Sequence, residues 1–173
     1  MKRRLAKLLM LVPVILLTLL IVGILSRKAR AEAAIDRIRM LPDLVMTDIN
    51  GVTINTANIT SGPLLITFFH PECDHCRYEL TSLLAGDSID HIFNVLLISY
   101  AGATEIRSFI QGERILDTSH IYIISDPDFN LTDLFGAKIF PANYIYNDSL
   151  QLVKIFKGSV KPETIMKYLH GSN

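Results

Sequence analysis

Apolar and polar positions divide the chain into an apolar head and a mixed α/β body. Residues 8–25 are almost purely apolar, with Pro13 near the start and Gly23 near the end. About 18–20 apolar residues suffice to span a bilayer as a helix, and membrane helices tolerate both Pro and Gly. Residues 29–40 are alanine- and charge-rich and predict a short helical stalk, ended by Leu41-Pro42-Asp43. Residues 44–47 and 52–54 flank Asn50-Gly51, a turn dipeptide, and predict a β-hairpin. After the break Ser61-Gly62-Pro63, the run Leu64-Leu65-Ile66-Thr67-Phe68-Phe69 predicts a buried strand. Leu80, Leu83 and Leu84 then fall at helical spacing. Residues 93–99 predict a central strand, and residues 104–111 a helix with Ile106, Phe109 and Ile110 on one side. Residues 121–125 predict a strand, and residues 128–135 a short helix closed by Gly136. Residues 143–147 and 153–157 predict two strands joined at Asp148-Ser149. Pro162 opens a last helix that ends near His170, before Gly171.

Strands alternating with helices imply an α/β domain. A central mixed sheet is expected, covered by helices on both faces, its strands mainly parallel and the antiparallel ones supplied by the last hairpin. At 173 residues, half of them hydrophobic, the chain can bury one good core rather than two. The expected division is 1–28 membrane anchor or signal peptide, 29–40 stalk, and 41–173 domain. A formal net charge of zero offers no basic excess for a nucleic acid.

The head bears on compartment. Lys2, Arg3, Arg4 and Lys7 precede the apolar run, so the positive-inside bias leaves residues 30–173 outside the cytoplasm. Arg27, Lys28 and Arg30 at the other end weaken that bias. Ala29-Arg30-Ala31 has the small-x-small form of a cleavage site, so a cleaved signal peptide competes with an anchor. The length of the run favours the anchor. Either one exports the domain to a compartment where disulfides persist.

The two cysteines lie in His70-Pro71-Glu72-Cys73-Asp74-His75-Cys76, between a predicted strand and a predicted helix. A thiol at a helix N-terminus faces unpaired backbone N–H groups and the positive end of the dipole, which favour the thiolate. The spacing predicts thiol–disulfide exchange, with Cys73 the attacker and Cys76, one turn on, the resolver of a mixed disulfide. The alternative is an inert disulfide, but so short a loop constrains the unfolded chain little. A protonated His75 favours the Cys73 thiolate, whereas Asp74 and Glu72 disfavour it. The expected reduction potential therefore lies between the extremes of about −270 and about −120 mV. His70, Cys73, His75 and Cys76 also offer zinc-type ligands. His75 beside Cys76 makes a poor tetrahedron, and no second Cys/His pair follows at finger spacing. No metal and no dissociable cofactor is expected.

The strand–Cys-x-x-Cys–helix order, with the later segment Gly136-Ala137-Lys138-Ile139-Phe140-Pro141-Ala142-Asn143, resembles the thioredoxin fold. The resemblance implies a cis Phe140–Pro141 bond with Pro141 facing the cysteines and shaping the partner groove. Residues 41–170 are most similar to the membrane-anchored, extracytoplasmic TlpA/ResA-like thiol–disulfide oxidoreductases. The shared features are the anchor, the opening hairpin from Pro42 to Gly51, and Glu79 in a Cys-x-x-Cys-x-x-Glu pattern. By that resemblance Glu79 is a partly buried acid that tunes the thiols and shuttles a proton. The other reading of Glu79 is an exposed helix carboxylate paired with Arg77. The resemblance further implies thiol and disulfide protein substrates, and electrons exchanged with a membrane electron-transfer protein. It places the chain as a single-pass protein of the inner membrane with its domain in the periplasm. Reduction of disulfides, including those of apocytochrome c, is a role of the family.

The departures bear on potential and partner choice. Glu72 stands where the family has an aromatic residue, His75 where it often has proline, and Thr81 where a proline follows the glutamate. Thr67 occupies the strand position at which cytoplasmic thioredoxins carry a buried aspartate. Phe69 and Phe140 are candidates to line a partner groove, with core packing the other role for Phe69. Gly158 is expected near the cysteines, or as a simple turn residue. Peroxide-reducing relatives carry a Pro-x-x-x-Thr/Ser-x-x-Cys pattern that Pro71-Glu72-Cys73 does not match. Copper-binding relatives prefer another cysteine spacing.

Overall fold

The computed structural model describes residues 2–59, 62–84, 93–113, 115 and 120–171, with the backbone alone for 2–12 and 14. The chain forms two compact units, residues 1–36 and 37–173. Helix α1, Lys2–Ile38, makes up the first. Its apolar side chains Ile15, Leu16, Leu19, Leu20, Val22 and Ile24 are exposed. The Thr18 and Ser26 hydroxyls donate back to the carbonyls of Ile15 and Gly23, at 2.8 and 3.0 Å. Lys28 and Glu32 pair across one turn at 3.8 Å. Among the described residues no helix is long and apolar enough to cross a membrane. The apolar run expected to do so, residues 8–25, starts among side chains outside that description.

The second unit is built on a five-stranded sheet with strand order β5-β4-β3-β6-β7. The strands are β3 (Leu64–Phe69), β4 (Asn94–Ser99), β5 (Ile121–Ser125), β6 (Ala142–Tyr146) and β7 (Leu152–Lys157). A two-stranded hairpin, β1 (Val45–Thr47) and β2 (Thr53–Asn55), precedes them. Its turn is fixed by Asp48, whose Oδ1 accepts the N–H groups of Asn50 and Val52 at 2.8 and 2.7 Å, and by Gly51 at φ +87°. A side chain at that φ would be strained, which accounts for the glycine. Ser61, part of the expected break before β3, lies outside the described residues.

The helices of this unit are α2 (Asp74–Leu84), α3 (Ala103–Gly112), α4 (Asn130–Phe135) and α5 (Pro162–His170). Helix α4 starts later than its apolar pattern predicts. The buried Asp126 carboxylate accepts the N–H groups of Leu131 and Thr132 and the Thr132 hydroxyl, and so draws residues 126–129 into a turn.

Strands β3, β4 and β5 run parallel, whereas β6 runs antiparallel to β3 and β7 antiparallel to β6. The sheet is therefore mixed, as expected, with its antiparallel strands from the last hairpin. Between β5 and β6 lies only the short helix α4, of six residues. The chain does not return to the start of the sheet, and β6 begins where β5 ended. That reversal brings Ala142 opposite Phe68. It sets the segment before β6 beside the segment after β3, which carries the cysteines.

Alternation along the strands splits the core in two. Leu65, Phe69, Val95, Leu97, Ile123 and Ile145 pack with Cys76 and Leu80 of α2, Ile106 and Phe109 of α3, and Ile165 and Leu169 of α5. Ile66, Phe68, Leu96, Ile98, Tyr144 and Tyr146 pack on the other side with Met46 and Ile54 of the hairpin, Ile38, and Phe135 of α4.

Candidate active site

Strand β3 ends at Phe69, and α2 begins five residues later at Asp74. Cys73 is the residue before the helix, and its carbonyl accepts the Arg77 N–H at 2.9 Å as the first helical bond. Its side chain takes the capping place that serine or aspartate fills elsewhere. The Cys73 Sγ accepts the Cys76 N–H at 3.3 Å. A sulfur carrying negative charge accepts that bond better, so helix and thiolate stabilise each other. The Cys73 N–H is held by the His70 carbonyl at 3.0 Å.

Cys73 is partly exposed and Cys76 is buried, both as free thiols. The Cys76 and Cys73 sulfurs are in direct contact, the pairing a disulfide needs. Burial, with the Cys73 thiol and then the Glu79 charge adding to it, holds the Cys76 thiol well above its ordinary range. Unaided, Cys76 keeps its proton.

Glu79 lies three residues beyond Cys76 on the same face of α2 and is 0 % exposed. The reading of Glu79 as an exposed carboxylate paired with Arg77 is thus corrected. Arg77 pairs with Glu113 of α3 at 3.3 Å. Burial raises the Glu79 carboxyl above its ordinary range, against hydrogen bonds from Val160, Asn143 and Ser159 that pull it down. The Asn143 Nδ2 donates to Oε1 and the Val160 N–H to Oε2, both at 2.7 Å. The Thr67 hydroxyl donates to Asn143 Oδ1 at 2.7 Å. Thr67 and Asn143 face each other across β3 and β6. The three side chains form one fully buried polar chain under the cysteines.

The Phe140–Pro141 bond is cis, and the Pro141 carbonyl accepts the Gly158 N–H at 2.8 Å. Gly158 sits at φ +88°, where a glycine is favoured. Pro141 is thereby tied to the loop after β7, whose Val160 binds Glu79. Phe140 is half-buried and meets Tyr100 at 5.4 Å between ring centroids. Phe69, the other groove candidate, is fully buried and belongs to the core. His70 meets Tyr100 in a tilted contact at 4.5 Å, and Tyr100 stacks on Phe129 at 5.1 Å. Partial burial, then the charges of Cys73 and Cys76, raise the Tyr100 phenol and keep it neutral beside the thiols. The four rings form an aromatic shelf at the carboxyl ends of β3, β4 and β5. Glu72, Asp74 and His75 are exposed around it.

The structure brings together Cys73, Cys76 and Glu79, and links Pro141 to them through Asn143 and the Gly158–Val160 loop. Tyr100 and Asn143 are absent from the expected site. Asn143 carried a signal, because it and Thr67 are polar residues within otherwise apolar strands. Among the described residues no group of three or more His, Cys, Asp or Glu is arranged to hold a metal ion.

No family model and no curated protein matches the chain. Solved structures do. A secreted Mycobacterium tuberculosis disulfide oxidoreductase, homologous to Escherichia coli DsbE, aligns with a TM-score of 0.65 at 15% identity, over 79% of this chain and 98% of that one. A thiol:disulfide interchange protein from Chlorobium tepidum aligns at 0.63 and 13% identity, over 77% and 94% of the two chains. An exposed lipoprotein thioredoxin from Streptococcus pneumoniae aligns at 0.60 and 20% identity, over 75% and 99%. The chain has the thioredoxin-like fold. The acid beneath the cysteines comes from α2, and β3 supplies Thr67.

Proposed function

We propose that the chain is a thiol–disulfide oxidoreductase that reduces disulfides in protein partners outside the cytoplasm. One observation carries this reading. The partly exposed Cys73 sulfur caps α2, directly above a buried Cys76 whose neighbour on the same helix face is a buried carboxyl.

The Cys73 thiolate attacks one sulfur of the partner disulfide. A Cys73–partner bond forms, and the partner's other sulfur leaves as a thiolate. Cys76 then gives its proton to Glu79, and the Cys76 thiolate attacks Cys73 Sγ. The Cys73–Cys76 disulfide forms as the second partner sulfur leaves and takes up a proton. The pair loses two electrons and the partner gains two. Glu79 is the base because Cys76, buried and held protonated, needs one. Pro141 and the shelf of Tyr100, Phe129 and Phe140 form the face on which the partner lies. No dissociable cofactor takes part.

The chain's own residues support export. Residues 1–28 carry a basic cluster followed by apolar residues, and the described apolar side chains of α1 lie open. The α1 hydroxyls of Thr18 and Ser26 are satisfied within the helix, as lipid requires. We read this segment as an inner-membrane anchor, followed by a stalk over 29–40 and the domain over 41–173. The secreted and lipoprotein relatives in structure support that placement by analogy. The return of electrons to Cys73–Cys76 then falls to a membrane electron-transfer protein, and disulfides of apocytochrome c are one candidate substrate.

Trapping tests the reading. Cys76→Ser is expected to accumulate partners bound through Cys73, released by dithiothreitol, while Cys73→Ser accumulates none. Equal trapping by the two variants, or none by either, rejects the assignment.

A further inference from the structure

A buried carboxylate with no counter-ion is expensive unless donors surround it. Glu79 has three such donors, the Val160 N–H, the Ser159 hydroxyl and the Asn143 amide, and the amide is a side chain that could have pointed elsewhere. An asparagine amide has two chemically different ends. Asn143 turns its Nδ2 to Glu79 because its Oδ1 is already occupied by the Thr67 hydroxyl. Thr67 lies directly opposite Asn143 in the β3–β6 ladder, so the backbone register fixes the whole chain of bonds. Among the described residues, the side chains of Thr67 and Asn143 bond to each other and to Glu79, not to a reacting sulfur. Both sit on the sheet face that α2 covers.

We propose that Asn143, aimed by Thr67, is the positioning residue that keeps Glu79 available as a carboxylate to accept the Cys76 proton. The inference deepens the oxidoreductase reading and rests on the role given there to Glu79. Among the described residues, the titratable group facing Glu79 is Cys76 of α2. Thr67 of β3, Asn143 of β6, and Ser159 with the Val160 N–H from the loop after β7 are neutral. Removing Asn143's donor leaves burial less opposed, and the carboxyl keeps its proton to higher pH. Thr67 acts at one remove. Without its hydroxyl the amide loses the partner that fixes its orientation.

The test uses the full chain with thionitrobenzoate attached to Cys73 as a mixed disulfide. Attack by Cys76 releases a coloured thiolate, and its rate is followed against pH. Asn143→Leu, similar in size, is expected to move the midpoint of the rate profile upward by about one pH unit, with a rate roughly tenfold lower below that midpoint. Thr67→Val moves it in the same direction by less, and Thr67→Ser restores it. On a Glu79→Gln background, Asn143→Leu produces no further shift. If Glu79→Gln removes the midpoint but neither Asn143→Leu nor Thr67→Val moves it, the positioning role is overturned and the role of Glu79 stands. If Glu79→Gln leaves the profile unchanged, the role of Glu79 falls and takes this inference with it. Thermal melts verify folding. Should Asn143→Leu not fold, the Thr67→Val and Thr67→Ser pair decides alone.

Discussion

The two faces of the sheet bury polar groups in opposite ways. On the α4 side, Tyr144 and Tyr146 are fully buried, and their hydroxyls donate to the backbone carbonyls of Phe135 and Ile38, each at 2.8 Å. Those acceptors cannot change charge. On the α2 side, Thr67, Asn143 and Glu79 bind one another, and the chain ends in a titratable carboxyl beside a titratable thiol. Both arrangements satisfy the rule that buried polar groups find partners. The first ties α4 and the segment before the hairpin to the sheet. The second places a movable proton in the core. A fold tolerates the second only at a high desolvation cost, and its position under the cysteines is what makes the cost useful.

The largest expected effect falls on the α4 side. Phe68 packs edge-on against Tyr144 and beside Phe135, so Phe68→Ala is expected to lower stability by about 3–5 kcal/mol. Urea unfolding measures this, and the pH profile of thiol exchange in the folded fraction is expected to stay in place. A displaced profile would show that the faces are coupled.

Next comes the carboxyl itself. Glu79→Gln is expected to slow resolution about 100-fold, some 2.7 kcal/mol in barrier, while folding remains intact. Its stability has a signed dependence on pH. The folded carboxyl is raised above its ordinary 4.5, so in the native state it binds a proton that the unfolded chain has released. Its stabilising contribution is complete below that ordinary value and is lost as pH rises through the folded one. Melting temperatures across that window should fall for the wild type and flatten for Glu79→Gln. Equal slopes would contradict the burial of an ionisable Glu79.

Tyr144→Phe removes one hydrogen bond from the α4 side, worth about 1 kcal/mol, and leaves exchange unchanged. Burial pushes the Tyr144 phenol from 10 up to about 12. Stability therefore falls between those pH values as the unfolded phenol ionises first, and the phenylalanine variant loses part of that slope. The smallest effect is at the surface. Arg77→Ala breaks the exposed pair with Glu113, and chemical denaturation should register no more than about 0.5 kcal/mol.

The element order and the cysteine pair were legible because each rests on local pattern. Leu64–Phe69 is apolar on both sides except at Thr67, as suits a central strand, and Pro162 and Gly136 punctuate helices by their own backbone limits. The antiparallel last hairpin was legible from its two strands around Asp148-Ser149, whereas the place of β6 beside β3 was not, because pairing between distant strands leaves no local pattern. The site was half legible. Cys73, Cys76 and Glu79 share one helix, so their spacing places them together. Asn143 is 64 residues from Glu79 and 76 from Thr67. Their meeting depends on strand register, which no local pattern contains. Tyr100 and Phe129 follow different strands and meet only where the strands end side by side.

The most direct test of the account is the equilibrium of Cys73–Cys76 against defined glutathione buffers, read by alkylating the free thiols of the full chain. The account predicts one reversible two-electron transition, between about −270 and −120 mV. A pair that stays wholly reduced or wholly oxidised across that range, or that titrates as two independent thiols, would contradict it.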